Sequence, residues 1–210
     1  PVARAVSAKM IDYNSVPIDN LRLKFPGEHN RQNARAALAV AGALGIDFQK
    51  AVLSLNNFSG TWRRFEYKGK TKNKALVYDD YAHNPQKIQA ALAGARELFP
   101  KKRLIAVFQP HLYSRTKTLL KPLSESFADA DVVILSPIFP AREALDPKIS
   151  SEILLRKIRE NFKDKILRHI ARFEDITDFL NKESGKNDII LTIGAGDIYK
   201  IAEKIVKNDK

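Results

Sequence analysis

The sequence contains no cysteine among its 210 residues. A disulfide scaffold, a thiolate metal site and a thiol nucleophile are therefore excluded. No apolar run reaches the length of a membrane span, and no signal-peptide pattern opens the chain. These absences are compatible with a reducing cytoplasm, which is the location we expect. The chain begins with Pro1 rather than methionine, and we expect it to be a piece of a longer protein.

The composition describes a folded and basic protein. Apolar residues make up 44% of the chain, which is enough for a core and argues against disorder. The formal net charge of +12 favours anionic partners such as nucleotides, sugar phosphates or nucleic acid. The lysine-rich run Lys68–Lys74 has only Tyr67 as an aromatic neighbour, so it does not indicate a base-stacking surface. We interpret it as a solvated turn.

The residue pattern divides the chain into two unlike parts near Asn57. The first part predicts a short extended segment at Leu21–Phe25, an alanine-rich helix at Arg31–Gly45 and a second helix at Phe48–Phe58. After Gly60, strands and helices alternate. The predicted strands are Arg64–Lys68, Ala75–Tyr81, Arg103–Gln109, Asp131–Ser136, Ile166–Ala171 and Asp188–Gly194. The predicted helices are Gln86–Phe99, Thr116–Ala128, Ser151–Phe162, Phe173–Lys182 and Ala195–Val206.

Short, continuously apolar strands between amphipathic helices predict an α/β fold with a mainly parallel sheet covered on both faces. In such a sheet, ligands bind at the carboxyl ends of the strands. Polar segments follow four of the predicted strands: DDYAHNP (79–85), FQPHLYSRT (108–116), SPIFPAREA (136–144) and GAGD (194–197). We therefore expect an extended anionic ligand along this end of the sheet. GAGD either cradles a phosphate or is only a tight turn, because two glycines are weak evidence.

Several of these polar residues also have an ordinary structural explanation. Asp79 and Asp80 either bind a ligand or end a strand and cap the next helix. For His83, which lies beside Tyr81, we favour a ligand contact over simple packing. Arg115 directly precedes a predicted helix, where the helix dipole disfavours a cation, and this favours a functional reason for it.

The first part of the chain has a polar cluster of its own in PGEHNRQNARAA (26–37). Asn30 and Asn33 are three residues apart, so they share one face at the start of a helix. An asparagine offers both a donor and an acceptor, which is what reading an adenine edge requires. An N-cap would explain one asparagine but not both. Further along, Arg63–Phe65 is either a solvent-facing edge strand or the place where an arginine bridges phosphates.

Six motifs occur in the order found in the Mur ligases, and the chain resembles this family from about Leu21 to about Lys204. They are PGEHNRQNARAALA, FSGTWRRFEYKG, DDYAHNP, FQPHLYSRT, FPAREA and GAGDI. The resemblance is strongest to the members that add L-alanine to UDP-N-acetylmuramate in peptidoglycan synthesis. It implies that residues 1–60 are the end of the central ATP-binding domain, a helical remnant. Residues 61–210 would then be the Rossmann-like C-terminal domain.

The resemblance implies ATP-driven amide formation. The substrate carboxylate attacks the γ-phosphate of ATP to give an acyl phosphate, and the amino group of L-alanine then displaces phosphate. Mg²⁺ offsets the charge repulsion between carboxylate and triphosphate. The family's magnesium ligands and its phosphate loop lie upstream, and the sequence contains no G-x-x-x-x-G-K-[ST]. We therefore expect this chain alone to be inactive, with no metal site of its own, and to act with the remainder of the ligase.

The resemblance also implies a role for nine residues. The residues expected to contact ATP are His29, Asn30 and Asn33 at the adenine, Arg64 at the phosphates and Asp80 at the ribose. The residues expected to contact the muramoyl substrate and the amino acid are Tyr81, His83, His111 and Arg115. We expect no nucleic-acid partner and no membrane association.

Two positions depart from the family pattern. Asn84 stands where the family usually has a second histidine, and Leu112 stands where it usually has an arginine. Two alternatives therefore stay open. One is a sister ligase that recycles murein tripeptide, although its loop differs from FQPHLYSRT. The other is a noncatalytic domain that binds anions or nucleic acid, suggested only by the net charge.

Overall fold

The computed structural model of the chain describes residues 10–206. Residues 1–9 of the expected first domain and residues 207–210 of the second lie outside the described residues. The chain divides into two compact units, the first ending at Ser59 and the second beginning at Gly60. Among the described residues, no helix is long and apolar enough to cross a membrane.

The first unit contains a short 3₁₀ helix at Tyr13–Ser15 followed by helices α1 (Glu28–Ala43) and α2 (Phe48–Asn57). The carboxylate of Asp47 caps α2 by accepting a hydrogen bond from the Lys50 amide. The buried residues within the two helices are Ala34 and Leu38 on α1 and Val52 on α2. The two predicted helices are thereby confirmed.

The predicted extended segment at residues 21–25 lies outside any helix or strand, and the amide of Arg22 donates to Asn56 Oδ1 at 2.6 Å, which ties this segment to α2. The start of α1 differs from the prediction. Helix α1 begins at Glu28, three residues before the predicted start at Arg31. Its N-cap is Gly27, whose φ of +100° is not helical.

The second unit contains one six-stranded sheet with the order β1-β2-β6-β3-β4-β5. Its strands are β1 (Glu66–Lys70), β2 (Leu76–Asp80), β3 (Arg103–Phe108), β4 (Val132–Leu135), β5 (Ile166–His169) and β6 (Asp188–Ile193). Strand β1 pairs antiparallel with β2, and the other neighbours pair in parallel. The predicted mainly parallel sheet is confirmed.

Helices cover both faces of this sheet. They are α3 (Pro85–Leu98), α4 (Tyr113–Thr118), α5 (Leu120–Ser124), α6 (Ser151–Asn161), α7 (Phe173–Glu183) and α8 (Tyr199–Ile205). Alternate residues of a strand point to opposite faces, and β3 shows this clearly. Leu104 and Phe108 enter a core shared with α3 and α6, whereas Ile105 and Val107 enter a core shared with α7 and α8.

The predicted helix Thr116–Ala128 is wrong in its bounds, because α4 and α5 divide the segment. Pro122 has no amide hydrogen, so the bond to the carbonyl four residues earlier is missing there. Arg115 is the third of the six residues of α4, so it lies in the first and in the last turn at once, and the helix dipole does not decide whether a cation is favoured there. The dipole argument for a functional Arg115 is therefore not supported, and any role must be argued from its contacts.

Two other predicted elements begin later than expected. Strand β1 starts at Glu66 rather than Arg64, because Arg63 and Phe65 have φ values of +55° and +47°, which a strand cannot accommodate. Helix α8 starts at Tyr199 rather than Ala195, since residues 194–198 form a loop.

Candidate ligand-binding site at the carboxyl end of the sheet

The loops that follow β2, β3, β4 and β6 all emerge at one end of the sheet, because these four strands are parallel neighbours. We call this end the rim and define it by residues 79–84, 109–115, 136–143 and 194–197. The structure thus brings together the four polar segments predicted to bind a ligand.

The four predicted substrate residues lie in one row on the rim. The ring centroids of Tyr81 and His83 are 5.5 Å apart, and those of His83 and His111 are 6.3 Å apart. The row continues to Phe139, whose ring stacks on His111 at 5.5 Å. Arg115 Nη1 lies 3.3 Å from His111 Nδ1. Residues from three loops therefore form one surface.

Burial lowers the pKa of both His83 and His111, and the nearby Arg115 guanidinium lowers each further. Both rings are then neutral at neutral pH. His83 Nδ1 lies 3.0 Å from the Tyr81 carbonyl, which can only accept, so Nδ1 carries the proton and Nε2 is an acceptor. Arg115 can only donate to His111 Nδ1, so there the proton is on Nε2. The row thus offers one acceptor nitrogen and one donor nitrogen to a ligand.

The glycines of the GAGD turn are explained by close packing. A Cβ on Gly194, which has a φ of +148°, would lie 2.8 Å from the Gln109 carbonyl oxygen. A Cβ on Gly196 would lie 2.5 Å from Gln109 Oε1 and 2.7 Å from Phe139 Cγ. Gln109 Oε1 also accepts a hydrogen bond from the Ile198 amide at 3.2 Å. Packing therefore accounts for both glycines without a phosphate.

Arg63 is the main residue that sequence reasoning missed. It is neither a solvent-facing strand residue nor accessible to phosphate, because only 2% of it is exposed. Its Nε donates to Asp79 Oδ2 at 2.7 Å. Its Nη2 and Nη1 donate to the carbonyls of Gly194 at 2.5 Å and Gly196 at 3.1 Å. The one sequence feature that pointed to this residue was the pair of adjacent arginines, Arg63 and Arg64, and it does not indicate which side chain is buried.

Aromatic rings surround the Arg63 guanidinium. Its Cζ lies 5.6 Å from the ring centroid of Trp62, 5.0 Å from that of Tyr81 and 4.7 Å from that of Tyr199. Such contacts stabilise a cation through the ring quadrupole. The neighbouring Arg64 is exposed, and its Cζ lies 5.9 Å from the Tyr81 ring. Arg64 is therefore accessible from solvent, and its contact with phosphate stays a prediction, while Arg63 is part of the framework.

The two aspartates that end β2 differ in their contacts. Asp79 Oδ1 accepts a hydrogen bond from the Thr192 hydroxyl at 2.6 Å. Burial raises the pKa of Asp79, although this bond and the Arg63 guanidinium each act to lower it. Asp80 accepts from the amides of Phe65 at 2.8 Å and Ala82 at 2.7 Å. Burial raises the pKa of Asp80 to about 6. Both Asp80 oxygens thus hold backbone amides, and contact with a ribose stays a prediction.

Neither aspartate caps the next helix. Asn84 does so, by accepting from the Lys87 amide at 3.0 Å, which gives the departure at Asn84 a structural reason.

A second residue that the sequence did not single out is Glu143, which accepts from the amide of Ser114 at 3.0 Å and from its hydroxyl. These bonds lower the Glu143 pKa and tie the loop after β4 to α4.

The predicted adenine residues belong to the first unit. His29, Asn30 and Asn33 lie in the first two turns of α1, and Asn30 Nδ2 donates to the Pro26 carbonyl at 2.6 Å. Because Gly27 is the N-cap, capping explains neither asparagine. Within residues 10–206, no three His, Asp or Glu side chains are grouped as metal ligands would be.

The sequence matches the family described as Mur ligase, glutamate ligase domain, over residues 63–196. It is 43% identical over 198 residues to UDP-N-acetylmuramate–L-alanine ligase from Caldanaerobacter subterraneus, covering 94% of this chain and 42% of that protein. It is 45% identical over 192 residues to the ligase of the same name from Acetivibrio thermocellus, covering 91% and 40%. The chain thus spans about two fifths of the length of these relatives.

Solved structures agree with the sequence match. UDP-N-acetylmuramate-alanine ligase from Thermotoga maritima superposes with a TM-score of 0.73 at 25% identity, over 88% of this chain and 38% of that one. A murein peptide ligase from Psychrobacter arcticus superposes with a TM-score of 0.60 at 24% identity, over 89% and 39%, and shows the shared fold. The match covers the strands and the rim loops from Arg63 to Gly196, and this chain belongs to the Mur ligase family.

Proposed function

We propose that this chain is the C-terminal part of an ATP-dependent ligase that joins L-alanine to UDP-N-acetylmuramate through an acyl phosphate. The names and the identity of its relatives support the reaction, and their greater length supports a role as one part of a larger enzyme. Residues 1–60 would end the central ATP-binding domain and residues 61–210 would form the C-terminal domain. Since ATP and nucleotide sugars are cytoplasmic metabolites, we expect the reaction to occur in the cytoplasm.

The observation that carries the proposal is the row Tyr81, His83, His111 and Arg115. An amino acid presents a carboxylate and an amino group. Arg115 offers a guanidinium, which suits a carboxylate. The free Nε2 of neutral His83 offers an acceptor, which suits an amino group. The row therefore has the two complementary groups that an amino-acid subsite needs.

Five residues carry the proposed contacts with ATP. We assign His29, Asn30 and Asn33 to the adenine, Arg64 to the phosphates and Asp80 to the ribose. The described residues do not form a magnesium centre, so its ligands would come from the remainder of the ligase. Mg²⁺ and the phosphate loop supply most of the electrostatic stabilisation in phosphoryl transfer. We therefore expect the 210-residue chain alone to show no useful ATP turnover.

The test is phosphate release by the full-length protein that contains this sequence, with ATP, Mg²⁺ and UDP-N-acetylmuramate. L-Alanine should stimulate release, whereas murein tripeptide and oligonucleotides should not. Stimulation by the tripeptide in place of L-alanine would support the sister ligase instead. The 210-residue chain serves as the control, and phosphate release from it that Asp80→Ala abolishes would contradict the expected inactivity of the fragment.

A further inference from the structure

The proposed function leaves a buried arginine unexplained. Arg63 cannot touch a ligand, since 2% of it is exposed, yet its guanidinium bonds two separate segments of the rim. One is the end of β2, through Asp79. The other is the loop after β6, through the carbonyls of Gly194 and Gly196. Together with its own loop, Arg63 joins three segments of chain.

The backbone around Arg63 is held in an unfavourable conformation. Arg63 and Phe65 have φ values of +55° and +47°, in the left-handed region that residues other than glycine avoid. The turn directs Arg63 inward and leaves Arg64 exposed between them. Such strain persists only where surrounding contacts enforce it, and it concentrates at functional sites. Here the enforcing contacts are those of the Arg63 guanidinium and the bond from the Phe65 amide to Asp80 Oδ2.

Backbone bonds extend this network to the residues we assign to ligands. The amide of Tyr81 donates to the Arg63 carbonyl at 2.8 Å. The amide of Gly194 donates to the Asp80 carbonyl at 3.0 Å. Arg64 is therefore the next residue after Arg63, and Tyr81 is one hydrogen bond away from it. Asp80 is two steps away, because it follows Asp79 in the chain and bonds the amide of Gly194. A shift of Arg63 would move all three.

We propose that Arg63 is a positioning residue for the nucleotide: it holds Arg64 and Asp80 in place by fixing the loop before β1 against the ends of β2 and β6. This inference rests on the proposed nucleotide roles of Arg64 and Asp80. It assigns Arg63 no contact with substrate. Its effect passes through the placement of its neighbours.

The chemistry of the site requires arginine rather than lysine. Three acceptors lie around the guanidinium, and a planar fork reaches them with three different nitrogens. The flat group also lies against the rings of Tyr81 and Tyr199. An ammonium group is a single point charge without this fork, so Arg63→Lys keeps the charge and loses the geometry.

A matched control lies at the opposite end of the same sheet. Arg103 Nε and Nη2 bond the two carboxylate oxygens of Asp188 at 2.8 Å and 3.0 Å. Arg103 Nη2 also donates to the Glu183 carbonyl at 2.8 Å. These residues begin β3 and β6, away from the rim. Arg103→Lys therefore disturbs a similar network without disturbing any residue that we assign to a ligand.

The experiment compares Arg63→Lys and Arg103→Lys in the full-length protein by steady-state kinetics and by calorimetric titration with a nonhydrolysable ATP analogue. For Arg63→Lys we expect about a tenfold increase in the KM for ATP and in the Kd of the analogue, as for loss of a well-placed charged hydrogen bond. The KM for L-alanine should change less. For Arg103→Lys we expect a lower melting temperature with both KM values retained.

The outcomes separate this inference from the proposed function. If both variants lower only the melting temperature, the positioning role is overturned. If the wild type does not use L-alanine, the proposed reaction fails, but titration with the ATP analogue still decides the role of Arg63. Asp79→Asn, which removes the charge that faces Arg63 but keeps the shape, is the second variant should Arg63→Lys not fold. Asp79→Asn should weaken binding of the analogue to a similar extent. If the Kd of the analogue is unchanged in whichever variant folds, the inference is overturned.

Discussion

Two arginine–aspartate pairs lie at opposite ends of the same sheet, and they differ in their surroundings. The side chains of Arg63 and Asp79 are 3% and 1% exposed, whereas those of Arg103 and Asp188 are 42% and 7% exposed. Arg103 is the first residue of a regular strand, while Arg63 lies in a loop with a positive φ. The same arginine–aspartate ion pair therefore occurs once at a regular strand and once beside a strained backbone.

This difference indicates that the two ends of the sheet contribute differently to the stability of the fold. A buried ion pair contributes little net stability, because desolvation offsets its attraction, although removing one partner is costly. The rim combines such a pair with left-handed residues and closely packed glycines, none of which increases stability. The amino end of the sheet combines a half-exposed pair with regular strands. We therefore interpret the contacts at the rim as fixing the positions of its residues rather than as adding stability. The following predictions test this contrast.

The largest effect is expected from Gly194→Ala at the rim, compared with Gly185→Ala before β6. A methyl group at Gly194 would meet the backbone oxygen of Gln109 at 2.8 Å and would sit on a φ of +148°, whereas nothing lies within 4 Å of a Cβ at Gly185. Overpacking and backbone strain should lower the free energy of unfolding by about 3 kcal/mol for Gly194→Ala. Gly185→Ala should change it by less than about 0.5 kcal/mol. Urea titration measures both, and equal effects would contradict the contrast.

The next effect concerns pH and Asp80. Burial raises the Asp80 pKa from 3.8 to about 6, so the folded state binds a proton more tightly than the unfolded state. The resulting stability is fully present below pH 3.8 and is lost as the pH rises through about 6. About two pKa units correspond to about 3 kcal/mol at most.

Urea titration between pH 4 and pH 7 measures this effect. The wild type should lose stability with rising pH more steeply than Asp80→Asn, which cannot titrate. The asparagine variant should also be less stable at low pH, because its amide group can accept only one of the two backbone hydrogens that Asp80 binds. Parallel curves for the two proteins would show that the Asp80 carboxylate is not desolvated as the structure indicates.

A smaller effect in free energy, but a clear one in rate, is expected from Arg115→Ala in the full-length protein. If Arg115 binds the carboxylate of the amino acid, turnover with L-alanine should fall by roughly tenfold to a hundredfold, as for loss of a charged hydrogen bond. The melting temperature should change little, because the hydrogen bond that the Arg115 head group makes to His111 among the described residues is a long one, 3.3 Å. Lys117→Ala is the control, since Lys117 is exposed and pairs with Asp146. If Arg115→Ala retains its turnover with L-alanine, Arg115 does not bind the carboxylate of the amino acid.

The smallest effect is expected at Leu112. This residue is half-buried, has a φ of +70° and donates its amide to the Phe139 carbonyl at 2.9 Å. Leu112→Arg keeps that bond and can extend its charge into water, so stability should change by less than about 1 kcal/mol. The added guanidinium should tighten substrate binding on the rim. Unfolding of Leu112→Arg would show instead that the side chain belongs to the core.

The central strands β3, β4 and β6 could be predicted to within about one residue because they are nearly continuous apolar runs between polar segments. The position of the rim followed from the rule that parallel strands end together. The row of Tyr81, His83, His111 and Arg115 lies on that rim, although the distances within it depended on how three loops fold. The helix at Thr116–Ala128 was mispredicted because Pro122 cannot donate the backbone hydrogen bond that one continuous helix needs.

The sequence alone determined the parallel α/β sheet, its family and the residue types present at the rim, because hydrophobic period and local motifs are properties of neighbouring residues. It could not distinguish Arg63 from Arg64, since two adjacent arginines are equivalent until the backbone turns. Tertiary structure decided that question: the left-handed turn at Arg63 brings its guanidinium to the Gly194 and Gly196 carbonyls, more than 130 positions along the chain. Contacts at such separation exist only in the assembled sheet, and they select which arginine is buried and which is exposed.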